Sequence, residues 1–126
     1  MSDHGTSHWS ELITGDVAAA KAFFKRVAGW QINDMPMPNG TYNVCIAGDR
    51  PVAGIMSREM MGDPDHPPGW MTYIAVDDVD KARKQAGKAK GKVLKEPFDV
   101  QGVGRIAMIR DPSGAVAGLI TPTPRA

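Results

Sequence analysis

The phrase Val52-Ala53-Gly54-Ile55-Met56 returns as Val116-Ala117-Gly118-Leu119-Ile120, and this echo limits what the chain can fold into more than any other feature. Each copy follows a turn-forming cluster, Gly48-Asp49-Arg50-Pro51 in the first case and Asp111-Pro112-Ser113-Gly114 in the second. In the latter, Pro112 presets one backbone angle and Gly114 tolerates the positive φ that closes a hairpin corner. A second set of matches supports the first: Asp16, Val17 and Gly29 recur as Asp78, Val79 and Gly91, each sixty-two positions on. Such self-similarity implies a supersecondary unit that is built twice.

The elements follow in the same order in both copies. Trp9 to Thr14 alternates in character as a strand does. Asp16 then caps a helix whose apolar positions Val17, Ala20, Phe24 and Val27 form one stripe, closed by Gly29. Trp30–Ile32 and Thr41–Ala47 read as strands joined by a loop over Met35–Gly40, and Pro51–Met56 is a third. Ser57 to Gly69 has three prolines and two glycines and reads as a linker without an element of its own. Beyond it come a strand over Met71–Val76, a helix capped at Asp78 with Val79, Ala82, Ala86 and Ala89 on one face, and a short strand Lys92–Lys95 stopped by Pro97. Strands Arg105–Arg110 and Ala115–Ile120 complete the unit, and the tail from Thr121 is expected to lack structure. The reading is an α+β fold in one domain: module one at 7–56, linker 57–69, module two at 70–122. A four-stranded unit with one helix leaves one sheet face open, so the two βαβββ modules should form a curved mixed sheet around a cup, with helices on the convex side.

Composition narrows the function classes. With 126 residues, 42% hydrophobic and 23% charged, the chain can bury a core without staples. A net charge of +1 does not advertise nucleic acid or an anionic membrane. No apolar run reaches membrane-spanning length, the first ten residues lack a signal peptide's apolar core, and a single cysteine excludes an internal disulfide. A cytoplasmic protein is expected.

The phrases WSELITGDVAAAKAFF, MTYIAVDDVDKA and IRDPSGAVAGLI, set in paired modules, resemble the vicinal-oxygen-chelate superfamily of glyoxalases, bleomycin-resistance proteins and extradiol dioxygenases. The resemblance covers roughly Trp9 to Pro122 and is closest to a glyoxalase-like subgroup without an assigned reaction. It implies the fold, and a metal held by ligands early in the first strand and late in the fourth strand of each module. Carried over, those positions fall on Trp9, Gly54, Met71 and Gly118. None offers a carboxylate or imidazole donor of the kind such metals take, so neither metal nor other cofactor is expected. His4 in a flexible terminus, His8 on the opposite strand face and His66 in the linker are not at metal-ligand spacings. Cys45 reads as buried and inert.

Alternation then assigns the cup. Trp9, Glu11 and Ile13 face it from module one, and Met71, Tyr73 and Ala75 from module two. Met56 joins them, as do Met108 and Arg110 if Ala107 and Ile109 face the helices. This is an apolar pocket with few polar groups, the usual build of a small-molecule site. Glu11 stands out, because a carboxylate on an apolar face needs a partner such as Arg110 or Tyr73, or a raised pKa. Met56, Met60, Met61 and Met71, in and beside the linker, suit a binding mouth, with the linker read either as a lid or as a passive connection between modules. The expected function is metal-independent binding of a small, partly apolar or aromatic molecule. Trp9, Met56, Met71, Tyr73, Met108 and Arg110 are the expected ligand-binding residues, and the alternative is a glyoxalase-type enzyme using Glu11 as acid or base with Tyr73 or Arg110 polarising the substrate. A homodimer is the expected assembly.

Overall fold

The computed structural model of the chain describes residues 3–100 and 102–123. These fall into two compact units, one running Trp9–Met71 and the other made of residues 3–8, 72–100 and 102–123. The first is built from β1 (Ser7–Thr14), α1 (Val17–Ala28), β2 (Gln31–Met37), β3 (Gly40–Ala47), β4 (Arg50–Ser57) and a short α2 (Arg58–Met61). Its strand order is β2-β3-β4-β1, with β1 parallel to β4 and the other pairs antiparallel. The second is built from β5 (Gly69–Ala75, of which residues 72–75 fall in this unit), α3 (Val79–Lys88), β6 (Lys92–Val100), β7 (Gly104–Arg110) and β8 (Val116–Pro122). Its order is β5-β8-β7-β6, again with only the first pair, β5 and β8, parallel. One topology is thus made twice, the α+β fold of two βαβββ modules that the repeat implies.

The helices start where the sequence says they should. The Asp16 carboxylate accepts from the Ala19 N–H at 3.0 Å and that of Asp78 from Lys81 at 3.1 Å, which satisfies a donor the first turn leaves orphaned. In the first unit Val17, Ala20 and Phe24 pack on Leu12, Cys45, Ala53 and Ile55. In the second, α3 sets Val79 and Ala82 against Ala107 and Leu119, with Ile74 and Ile109 alongside. Ala107 and Ile109 therefore face the helix, and the neighbours that alternate with them on β7, Met108 and Arg110, face away from it.

Several boundaries differ from the sequence reading, each for a local reason. The expected loop Met35–Gly40 is mostly strand, since β2 runs to Met37 and leaves a two-residue turn. β2 ends its unit's strand order, where Pro36 lacks a ladder donor at no cost. The same holds for β6, which continues past Pro97 to Val100 with register shifts between Lys95 and Phe98 that absorb the proline. The linker 57–69 holds α2, capped by the Ser57 hydroxyl accepting from the Met60 N–H at 3.2 Å. Thr121 and Pro122 are not tail but the end of β8; the Thr121 hydroxyl accepts from the Val79 N–H and donates to the Val76 carbonyl, both at 2.9 Å. The remainder of that expected tail, 124–126, lies outside the described residues. His4 is not in a loose terminus, because its Nδ1 accepts from the Asp77 N–H at 2.9 Å. Val27 falls off the helix stripe, 64% exposed. At the end of α3 the left-handed residue is Lys90, not Gly91; Gly91 is needed for space, since a Cβ there would stand 2.9 Å from the Arg110 carbonyl oxygen.

Candidate functional site

In the first unit the face of the sheet turned away from α1 carries the chemistry. Leu12 belongs to the helix-side core, so its neighbours Glu11 and Ile13 point to the opposite face. Parallel pairing sets Glu11 beside Gly54 and Ile13 beside Met56. On the other flank of β4, Val44 of β3 lies opposite Gly54, which makes Tyr42, two residues earlier on the same face, a diagonal neighbour of that glycine. The phenol fills the space Gly54 leaves: a Cβ at Gly54 would collide with the Tyr42 hydroxyl. Because β4 presents no side chain at this point, Tyr42 reaches over it from β3 to β1.

There it closes a chain of hydrogen bonds. The Trp9 indole Nε1–H donates to the Tyr42 hydroxyl at 2.9 Å, and the hydroxyl in turn is hydrogen-bonded to Glu11. Glu11 is 3% exposed, so this bond meets the demand that a buried carboxylate be partnered. Burial above all, then the negative charge of Glu11 and its hydrogen bond, push the Tyr42 phenol far above its usual pKa of 10, against a smaller opposing effect of the Trp9 donor. Tyr42 is thus held as a neutral donor. Sequence reading named Trp9 and Glu11 but missed Tyr42; the signal available was a glycine at an inward position with an aromatic residue on the adjoining strand to fill it. Cys45 lies on the helix side, where burial pushes its thiol up to about 11, consistent with an inert core cysteine.

The remaining predicted residues divide between the units. Met56 and Met71 are buried in the first. Met60 is buried with its side chain against Gly40, and its carbonyl accepts from Asn39 Nδ2 at 3.2 Å. Arg58 Nη1 donates to the His66 carbonyl at 3.3 Å, so the 57–69 segment is tied to its own unit. In the second unit Tyr73 and Met108 flank Gly118 from β5 and β7, both buried. The Tyr73 ring covers that glycine, and a Cβ there would stand 2.8 Å from the ring's Cγ and closer to its edge carbons. Arg110, half-exposed, sits at the end of β7 between Lys92 and Val116.

The metal that the resemblance implies does not fit these residues. At the two fourth-strand positions, Gly54 and Gly118, the ligand space is taken by tyrosine side chains, and Trp9 has spent its N–H on Tyr42. Among the described residues no three His, Cys, Asp or Glu side chains gather as a metal set.

The family model of the Glyoxalase/Bleomycin resistance protein/Dioxygenase superfamily matches residues 6–117. The chain belongs to this superfamily. Among its relatives, "Putative glyoxylase CFP32" of Mycobacterium bovis is 39% identical over 126 residues, 99% of this chain and 47% of the relative. "Anthracycline biosynthesis protein DnrV" of Streptomyces peucetius is 30% identical over 123 residues, 88% of this chain and 45% of the relative. This glyoxalase-superfamily chain therefore spans about half the length of the curated relatives it matches. Among solved structures, methylmalonyl-CoA epimerase from Mycobacterium tuberculosis superposes with a TM-score of 0.67 at 13% identity, covering 98% of this chain and 93% of that one. That likeness speaks for the fold alone. No helix among the described residues is long and apolar enough to cross a membrane.

Proposed function

We propose that this superfamily member binds a small, partly aromatic molecule without a metal, on the face of the first module that carries Trp9, Tyr42 and Glu11. The observation that carries the reading is the Trp9–Tyr42–Glu11 chain, an aromatic and polar group set on an otherwise apolar face beside Ile13 and Met56. Such a mixture of apolar wall and few oriented polar groups is what small-molecule sites are made of. DnrV, whose name places it in anthracycline biosynthesis, gives the aromatic ligand its support. Tyrosines standing in the space of the fourth-strand metal ligands support metal independence. The single, buried Cys45 suits a cytoplasmic setting.

The test is a thermal-shift and calorimetric screen with planar aromatic ligands such as 2-hydroxyanthraquinone, followed by Trp9→Ala. Aromatic anchors carry a large part of such binding, so the variant should lose most of the affinity; unchanged affinity would remove the site from this face. A second reading, acid–base catalysis by Glu11, draws on its burial and its phenol donor. An oriented carboxylate of this kind can take or return a proton on a bound substrate.

A further inference from the structure

β1 and β4 run parallel and leave the sheet side by side. Thr14 lies opposite Ser57, and one residue further on the Arg58 guanidinium rests over Gly15. A Cβ at Gly15 would stand 2.5 Å from Arg58 Cζ and 2.7 Å from Nε, so the head of the arginine occupies the space that the glycine leaves. Nη1 donates to the His66 carbonyl at 3.3 Å, which holds the head there. The edge formed by Nε and Nη2 is unspent: neither nitrogen has a hydrogen bond among the described residues, and no sealed side-chain nitrogen or oxygen among them lacks a partner, so both face solvent. A counter-charge is missing as well. Arg83 and Arg105 of the second unit hold Glu96, Asp80 and Asp99, whereas Arg58 has no ion pair among the described residues. The acids beside it in sequence are turned elsewhere: Asp16 accepts from the Ala19 N–H, and Glu59 is exposed without an ion pair.

Resting on the ligand-binding reading above, we infer that Arg58, seated over Gly15, is an oxyanion-binding residue that takes the carboxylate of an aromatic acid. A half-buried guanidinium has given up part of its hydration, and its planar fork matches the two oxygens of a carboxylate through parallel N–H bonds. Exposed Gly15 leaves the corner reachable. Ile13 and Met56, paired on the face that carries Trp9 and Tyr42, lie two residues earlier on their strands, roughly 7 Å back. An aromatic acid spans that distance, with its ring toward the apolar pair and its carboxylate on Arg58.

The test compares anthraquinone-2-carboxylate, ionised at neutral pH, with the uncharged anthraquinone-2-carboxamide. Both are titrated calorimetrically into the parent chain, Arg58→Gln and Gly15→Ala at about 0.15 M salt, where stray surface charge is largely screened. Far-UV circular dichroism checks that each variant folds. Gly15→Ala is the gentler change, because Gly15 has no left-handed φ and the atoms nearest an added Cβ all belong to the tip of the Arg58 side chain, which swings aside. Charge-assisted hydrogen bonds are worth about tenfold in affinity or more, so the parent should prefer the carboxylate about tenfold. Both variants should lose that preference, Arg58→Gln by removing the charge and Gly15→Ala by displacing it. Should one fail to fold, the other gives the same ratio by an independent route. Equal binding of the two probes by the parent would overturn the inference and leave the binding reading standing. A preference that survives in a folded variant would place the carboxylate elsewhere and also overturn it. A parent that binds neither probe would remove the binding reading and this inference with it.

Discussion

Substituting Gly118 by alanine adds one methyl group where there is no room for it. The new Cβ would stand 2.8 Å from Tyr73 Cγ and nearer still to Cδ1 and Cε1, so it meets the body of the ring and not a mobile tip. Tyr73 is buried, 5% exposed, on a strand paired directly to Gly118, and the ring can escape only by leaving its rotamer or moving β5 away from β8. Overpacking of this kind costs about 1–3 kcal/mol. Against it stands a gain of up to about 1 kcal/mol from restricting the unfolded chain. With overlaps this severe the cost lies in the upper half of that range, so the net destabilisation is about 1–3 kcal/mol, and at roughly 4 °C per kcal/mol for a chain of this length the Tm should fall by roughly 4–12 °C. Gly87→Ala supplies the control, because Gly87 lies inside α3 with nothing within 4 Å of an added Cβ. There helix propensity should raise stability by about 0.5–1 kcal/mol. Differential scanning calorimetry of both variants measures the two signs in one scaffold. A Gly118→Ala chain as stable as the parent would show that the Tyr73 ring does not cover the glycine, and would undo the argument that tyrosines occupy the family's ligand space.

Tyr42 should resist ionisation: in a Tyr73→Phe background, absorbance near 295 nm should show no native titration near pH 10. Its raised native pKa gives stability that is present below the unfolded value and lost as pH rises above it, so ionisation should coincide with alkaline unfolding, and a reversible native transition near pH 10 would refute this. The Asp111 carboxylate accepts from the Ser113 hydroxyl at 2.6 Å, the Ser113 N–H at 2.8 Å and the Ala115 N–H at 3.1 Å, and the Ser113 hydroxyl bond leads in holding its pKa below the ordinary range. A depressed native pKa gives stability above the unfolded value near 4 that is lost as pH falls; Asp111→Ala should lower the Tm at pH 7 and less so at pH 3, and an equal loss at both would reject the charge as the cause. Light scattering should give twice the 13.5 kDa chain mass. Phe23 and Val27 of α1 and Trp70 are exposed apolar side chains of the first unit, so Phe23→Glu with Val27→Glu should yield a monomer, whereas a monomeric parent would dismiss the dimer.

The parts of this molecule visible in its sequence are those fixed by neighbours along the chain. Asp16 and Asp78 cap their helices because a short acceptor before an apolar stripe can do little else, and the VAG echo marks the fourth strand of each module. Strand ends hidden behind Pro36 and Pro97 were not legible, since a proline forbids a central strand and permits an edge one, and edge position is a property of the whole sheet. Val27 and Phe24 share a stripe on paper, but Phe24 packs on the core and meets Trp30 and Trp70 at ring separations of 5.3 and 5.5 Å, whereas Val27 is exposed. At the candidate site, alternation was enough to select Trp9 and Glu11. It could not supply Tyr42, whose role depends on a glycine twelve residues away and on a strand order in which β4 separates β3 from β1.

Titration of 2-hydroxyanthraquinone into chelator-treated protein, followed by heat, addresses the central claim most directly, since it asks at once whether the first module binds an aromatic ligand and whether it needs a metal to do so. The account predicts saturable binding near one ligand per chain, with the same affinity before and after removal of divalent ions. Affinity that disappears with the chelator and returns with one equivalent of zinc, nickel, manganese or iron would contradict it.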